Sequence, residues 1–248
     1  MTNTETTQAQ FSTTQKALAW GVHFYTSTGI VWGILATMAI TKGQYKWAYL
    51  WFTLAVIVDS SDGTLARKFR VKEVVPTVNG GTLDDIADYL NYTFLPLFLV
   101  WHAGWLPEPG WLWVSFPLIA SIFGFAHTGA KESDAGFFRG FPSYWNFFAI
   151  YTDICFRTGG KWTVLGIMLF LSVLNVAPLR FVYPSRAKYW KGFFIWGAIA
   201  WTVYFLYLLQ YYPNVPVLQA WISITYPVLY LILSVYLDFY DRKKNKAA

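Results

Sequence analysis

Long apolar runs, broken by short stretches of glycine, proline and charge, make up almost all of this chain. They lie near 17–41, 47–68, 81–105, 111–131, 143–157, 161–178, 189–211 and 216–238. A helix needs about 20 mostly apolar residues to cross the hydrocarbon core of a bilayer, so the pattern predicts about eight transmembrane helices. The breaks are Lys42-Gly43, Pro107 to Gly110, Gly159-Gly160, Pro184, Pro213 and Pro216. The runs at 143–157 and 161–178 are the shortest. There is no internal repeat and no separate soluble stretch, which predicts a single integral membrane domain over 16–248. Residues 1–15 are rich in Thr and Gln, with no basic residue before Lys16. They lack the positive start of a signal peptide and are expected to form a disordered tail.

Composition strengthens this picture. With 56% hydrophobic and 13% charged residues, the balance lies far from that of soluble domains. The expected fold class is all-α, a polytopic integral membrane helical bundle. Placing both termini in the cytoplasm puts fifteen Lys and Arg on the inner side and only Lys42, Lys46, Arg157 and Lys161 on the outer side. Basic residues are retained in the cytoplasm, so an even helix count with cytoplasmic termini is expected. The net charge of +6, the 14 Trp and the 17 Tyr fit membrane flanks and interfacial belts, and no nucleic-acid partner is implied. Cys155 is the only cysteine. It forms no internal disulfide and is expected in the core.

Segment 59–88 changes the picture from a membrane protein to a membrane enzyme. It holds Asp59, Asp62, Glu73, Asp84, Asp85 and Asp88, six of the thirteen acidic residues. Ionisable groups at membrane depth cost several kcal/mol each and are functional by default. On a helix, Asp62 lies about 60° from Asp59, Gly63 about 40° to the other side, and Ala66 within about 20°. Gly80, Asp84 and Asp88 follow at i, i+4 and i+8 on the next span. Two facing helices would aim four carboxylates at one point, at headgroup depth on the cytoplasmic leaflet. Asp85 falls about 100° off that stripe. Four carboxylates so close repel one another unless cations neutralise them. All-oxygen donors select hard ions, Mg²⁺ or Mn²⁺, and two such ions form the usual clamp for phosphoryl displacement. The small residues Gly63, Ala66 and Gly80 let a nucleotide approach the helix backbone, and Arg67 has the fork geometry for a phosphate.

Asp59-x2-Asp62-Gly63-x2-Ala66-Arg67 followed by Gly80-x3-Asp84-x3-Asp88 resembles the signature of the CDP-alcohol phosphatidyltransferase family. The spacer from Lys68 to Asn79 is longer than the family's usual one. That spacer, the span count and the length resemble the family's bacterial phosphatidylcholine synthase branch. The resemblance implies that Asp59, Asp62, Asp84 and Asp88 bind a pair of Mn²⁺ or Mg²⁺ ions and that Asp88 is also the general base. It implies that Gly63, Ala66, Arg67 and Gly80 contact the CDP part of CDP-diacylglycerol. The implied reaction is attack of an alcohol hydroxyl, here that of choline, on the β-phosphate with release of CMP, in the bacterial inner membrane with the site facing the cytoplasm. Family members commonly pair as homodimers, so the resemblance also makes a second copy of the chain an expected partner.

Choline would be held by aromatic faces and an anion. Candidates on the cytoplasmic side are Glu132, Tyr144, Trp145 and Tyr151, with Asp134 and Asn146 nearby. Asp153 is expected to pair with Arg157 at i+4, and His23, His102 and His127 are expected to be satisfied helix histidines. Serine, glycerol 3-phosphate or an inositol phosphate are the competing acceptors. Phosphorylated acceptors would want intramembrane cations, of which there are few. A divalent-cation transporter is the competing class, but it would want polar residues along a path from both faces.

Overall fold

The computed structural model describes residues 11–132 and 134–247, and about three quarters of them are helical. Helix α1 (Thr13–Ser27) starts at a capping box in which the Ser12 hydroxyl accepts from the Gln15 amide and the Gln15 side chain accepts from the Ser12 amide. Helix therefore begins inside the stretch expected as tail, because Ser12 and Gln15 satisfy orphan donors of the first turn. Residues 1–10 of that expected tail lie outside the described residues. Helix α2 (Gly29–Thr41) continues the same run after a break at Thr28. Helix α3 (Tyr45–Lys68) packs closely on α2, where Gly33, Ala36 and Ala39 are buried.

After the short helix α4 (Val71–Val74) comes α5 (Gly80–Asp88), capped by Asn79, whose Oδ1 accepts from the amides of Gly81 and Thr82. The run then widens into a π-helical turn, Tyr89–Phe94, before α6 (Leu95–His102). Buried Asn91 holds this turn, donating to the carbonyls of Gly29 and Ala87, each at 3.0 Å. Helix α7 (Gly110–Ala126) follows.

Helical residues Trp145–Val176 (α8) contain Gly160 at φ 74°, ψ −175°. A continuous helix of that length would be about 48 Å long. Yet the Phe141 amide donates to Leu174 O at 2.9 Å, and Asn175 Nδ2 donates to Ser143 Oγ at 2.8 Å. The chain therefore doubles back at Gly160, where glycine tolerates the left-handed φ, and the two short runs form an antiparallel pair. Helices α9 (Lys191–Leu209) and α10 (Val217–Ala247) complete the bundle. Among the described residues, four helical stretches, Thr13–Thr41, Trp145–Val176, Lys191–Leu209 and Val217–Asn245, are long and apolar enough to cross a membrane. Outward-facing apolar side chains such as Phe24, Phe123, Trp162, Trp196 and Leu218 are exposed, as lipid contact requires of a bundle whose backbone bonds are satisfied internally.

One feature was not legible in the hydropathy pattern. Strands β1 (Lys131–Glu132), β2 (Phe137–Arg139) and β3 (Arg180–Val182) form a small antiparallel sheet in the order β1-β2-β3, with Lys131 opposite Phe138 and Phe138 opposite Phe181. Arg180 pins it to α10 through Asp238 at 2.5 Å and Asp241 at 2.9 Å, and reaches Glu132 at 3.4 Å. This sheet lies at the end of the bundle that also holds α4 and the start of α1, where the Arg70 guanidinium lies 5.7 Å from the Phe11 ring. The opposite end gathers Tyr45, His102, Trp105 and Tyr212.

Candidate active site

Helices α3 and α5 bring the predicted carboxylates together. Ligand-capable oxygens of Asp59, Asp84 and Asp88 all lie within 4.8 Å of one another. Asp62, one turn along α3, is buried and accepts a 2.8 Å hydrogen bond from Thr26 Oγ1 of α1. It lines a narrow cleft with the other three acids, Gly29 and Ala87. The i, i+4 spacing on α5 and the i, i+3 spacing on α3 are what turn these acids toward each other. Asp85 points off the stripe, as its helical angle predicts.

The electrostatics of the group are unbalanced. Asp59 receives a 2.8 Å hydrogen bond from Tyr92 OH, and Asp62 has the Thr26 hydroxyl, both neutral donors. Among the described residues, Asp59, Asp62 and Asp88 form no salt bridge. The nearest cation is Lys131 of β1, whose Nζ lies 3.1 Å from Asp84 Oδ2 and 3.0 Å from Asp85 Oδ1. Burial works to lower the pKa of this ammonium, but the attraction of Asp84, Asp85 and Asp88 outweighs it and holds the value above that of an ordinary lysine. One lysine does not neutralise this many clustered acids. An oxygen-only donor set with uncompensated charge fits hard divalent ions.

Above the carboxylates opens a cavity of about 440 Å³. Asp59, Asp84 and Asp88 form its floor, and rings of Tyr92, Phe125, Phe138, Phe141, Tyr144 and Tyr183 line its walls. Phe138 and Tyr183 stack at 4.3 Å between centroids.

The four expected nucleotide-contacting positions fare differently. Beside Gly63 there is open space: a Cβ there would meet only Arg67 Nη1, at 3.4 Å. Arg67 donates to Thr64 Oγ1 at 3.0 Å and forms no ion pair among the described residues. Ala66 packs toward Val71 and Val74. At Gly80 a Cβ would come within 3.2 Å of the His23 ring, so packing already asks for a glycine there. His23 itself is buried with Nε2 unpartnered, unlike the satisfied histidine expected.

Of the expected choline contacts, only Tyr144 lines the cavity. Glu132 is engaged with Arg139 at 3.1 Å and with Arg180, so its charge is already matched. Trp145 is fully buried and donates to Ser121 Oγ at 2.8 Å. Tyr151 lies deep in the bundle between Ser223 and Trp201. None of these three lines the cavity: Trp145 and Tyr151 turn into the bundle because successive positions of a helix face different directions, and Glu132 lies on β1 between its two arginine partners. Asp153 pairs with Arg157 at 3.0 Å and Cys155 is buried, both as expected. The residues that sequence reasoning missed are Tyr92, Phe125, Lys131, Phe138, Phe141 and Tyr183. Of these, only Tyr92 carried a local signal, since it follows Asp88 by one helical turn.

The family model for CDP-alcohol phosphatidyltransferase matches residues 23–204, which contain the whole carboxylate segment. The chain belongs to this family. Among its relatives, the phosphatidylcholine synthase of Borreliella burgdorferi is 37% identical over 172 residues, covering 69% of this chain and 72% of the relative. That of Pseudomonas aeruginosa is 35% identical, covering 76% and 78%. That of Legionella pneumophila is 34% identical, covering 95% and 94%. As a CDP-alcohol phosphatidyltransferase the chain is an enzyme rather than a cation transporter. The family generally uses divalent metal ions, and in this phosphatidyltransferase Asp59, Asp84 and Asp88 bring ligand-capable oxygens close enough together to hold one.

Proposed function

We propose that this enzyme is a phosphatidylcholine synthase, transferring the phosphatidyl group of CDP-diacylglycerol to choline and releasing CMP. The observation that carries the choice of alcohol is the cavity on the carboxylate floor, with its six aromatic walls. A quaternary ammonium donates no hydrogen bonds and is held by ring faces, at about 0.5–2 kcal/mol each. The names of the relatives agree with this reading.

Asp59, Asp62, Asp84 and Asp88 hold two ions, Mg²⁺ or Mn²⁺. Once bound, these neutralise the carboxylates and the diphosphate and make the acceptor hydroxyl more acidic. Tyr92 fixes the Asp59 carboxylate, and Thr26 fixes that of Asp62. Asp88 takes the hydroxyl proton as the choline oxygen bonds to the β-phosphorus. The bond from that phosphorus to the CMP oxygen breaks, and CMP leaves with the electron pair. Arg67, beside the open face at Gly63, binds a phosphate of the nucleotide, and Ala66 and Gly80 keep the adjoining backbone close.

The helical bundle from residue 16 onward acts as one catalytic domain, a reading supported by the continuous buried core shared by α2, α3, α6, α8 and α9. The end bearing the sheet and the site faces the cytoplasm of a bacterial inner membrane, a reading supported by the Lys and Arg asymmetry. The test is CMP release by the purified protein given CDP-diacylglycerol and Mn²⁺ or Mg²⁺, with choline, serine, glycerol 3-phosphate and inositol phosphate offered separately. Release that depends on choline is expected. Release with another alcohol, or with none of them, overturns choline as the acceptor.

A further inference from the structure

Among the described residues lining the cavity, Lys131 is the one strongly basic side chain whose partners belong to the site itself. The other strongly basic side chain lining the cavity, Arg139, is bound to Glu132 through Nε at 3.3 Å and Nη2 at 3.1 Å. Lys131 instead divides its ammonium between Asp84, a member of the converging carboxylates, and Asp85, which stands outside them.

The sheet fixes where this lysine starts. Its Cα is paired with that of Phe138, and the Arg139 amide donates to the neighbouring Ala130 carbonyl at 2.9 Å. The backbone is pinned, while the ammonium stands at the end of a four-carbon stem in a side chain that is 42% exposed. Asp84 is wanted by divalent ions. Ions held by Asp84 would repel the ammonium from it and leave Asp85 as its partner. A diphosphate entering the cavity then offers Lys131 the anion it has lost.

We propose that Lys131 is a binding residue for the diphosphate of the CDP-linked lipid, and that Asp85 is a positioning residue that holds its ammonium at the cavity while Asp84 is given to metal. Lysine suits this task as a compact, mobile point charge, and a charge-assisted bond to phosphate is among the stronger hydrogen bonds. The proposal rests on reading the cavity as the phosphatidyl-transfer site.

The experiment measures binding of CDP-diacylglycerol to the purified full-length protein in detergent, at saturating Mn²⁺ and without choline. Mn²⁺ affinity is measured separately by electron paramagnetic resonance. Lys131→Met is expected to weaken lipid-nucleotide binding by about tenfold or more, while Mn²⁺ affinity is undiminished because a competing cation has been removed. Lys131→Arg recovers most of the binding, and Asp85→Asn weakens it less than Lys131→Met does. Binding by Lys131→Met equal to that of the parent overturns the proposal. So does a loss that tracks weakened Mn²⁺ affinity, which would make Lys131 a brace for Asp84. If the parent binds CDP-diacylglycerol but releases no CMP on addition of choline, the choline reading fails and the role of Lys131 stands.

Discussion

The floor and the wall of the cavity are built by opposite strategies. The floor is two helices whose acids sit at i, i+3 and i, i+4, so a few consecutive turns of local structure align them. The wall is assembled from afar: Lys131 and Phe138 come from the connection between α7 and α8, Tyr183 follows β3, and Tyr92 lies on the π-helical turn. The floor is therefore tolerant of changes elsewhere in the bundle, whereas the wall depends on contacts between segments far apart in sequence. This division also separates the chemistry. On the proposed reading, the helices carry the metal-binding carboxylates, while the connections carry Lys131 for the diphosphate and aromatic rings for the alcohol.

The largest expected effect is on the floor. Asp88→Asn keeps the shape of α5 and removes the base, so turnover should fall by about 10²–10⁴-fold with CDP-diacylglycerol binding largely retained. Steady-state CMP release and equilibrium binding, measured side by side, check this. Turnover within a few-fold of the parent would take Asp88 out of the role of base and weaken the claim that the floor does the chemistry.

Next comes the anchor of the wall. Arg180 is 12% exposed, and its partners Asp238 and Asp241 are 0% and 5% exposed. Removing one member of a buried ion pair costs about 3–5 kcal/mol. Arg180→Met should stay at the lower end, because Arg242 still reaches Asp238 at 2.7 Å. Thermal unfolding in detergent should shift to lower temperature, and choline turnover should fall with it as Phe138 and Tyr183 lose their support. An unshifted transition would mean that the sheet is held by its apolar contacts alone.

The same contrast explains what the sequence made legible. The carboxylate stripe, the helical runs and the break at Gly159-Gly160 are local patterns, and each appears in the structure close to where the pattern put it, although four stretches rather than eight are long and apolar enough to span. The π-helical turn is not local. Asn91 stabilises it by reaching Gly29, on another helix, and without that contact nothing marks the widened turn. The sheet pairs Lys131 with Phe138 and Phe138 with Phe181, strands too short to show an alternating pattern. Its basic residues were legible only as topology signals, because Lys and Arg near spans are expected whatever else they do. The polar aromatics misled for a related reason. Tyr144, Trp145 and Tyr151 are equally plausible from composition, and only packing directs Tyr144 into the cavity while the others turn into the bundle.

A smaller effect is expected where one ring of the wall is removed. Tyr144→Leu leaves apolar volume but no aromatic face, so the choline KM should rise by an amount equivalent to about 0.5–2 kcal/mol, with the KM for CDP-diacylglycerol unchanged. Initial rates at varied choline, repeated at varied lipid, distinguish the two. A rise confined to the lipid would place Tyr144 beside the diacylglycerol.

The smallest effect belongs to the far end of the bundle, and it tests whether charge pairing matters by its presence or by its place. Asp153 and Arg157 form an i, i+4 pair at 3.0 Å, with 16% and 36% side-chain exposure. Its length is close to that of the Arg180–Asp241 pair, but it belongs to a single helix and supports no wall. Such helix pairs contribute about 0.2–0.5 kcal/mol. Asp153→Asn should therefore shift thermal unfolding only slightly and leave choline-dependent CMP release as it is. A loss of turnover comparable to that of Arg180→Met would show that the two ends of the bundle are coupled, and the division between a local floor and an anchored wall would then have to extend through the full depth of the membrane.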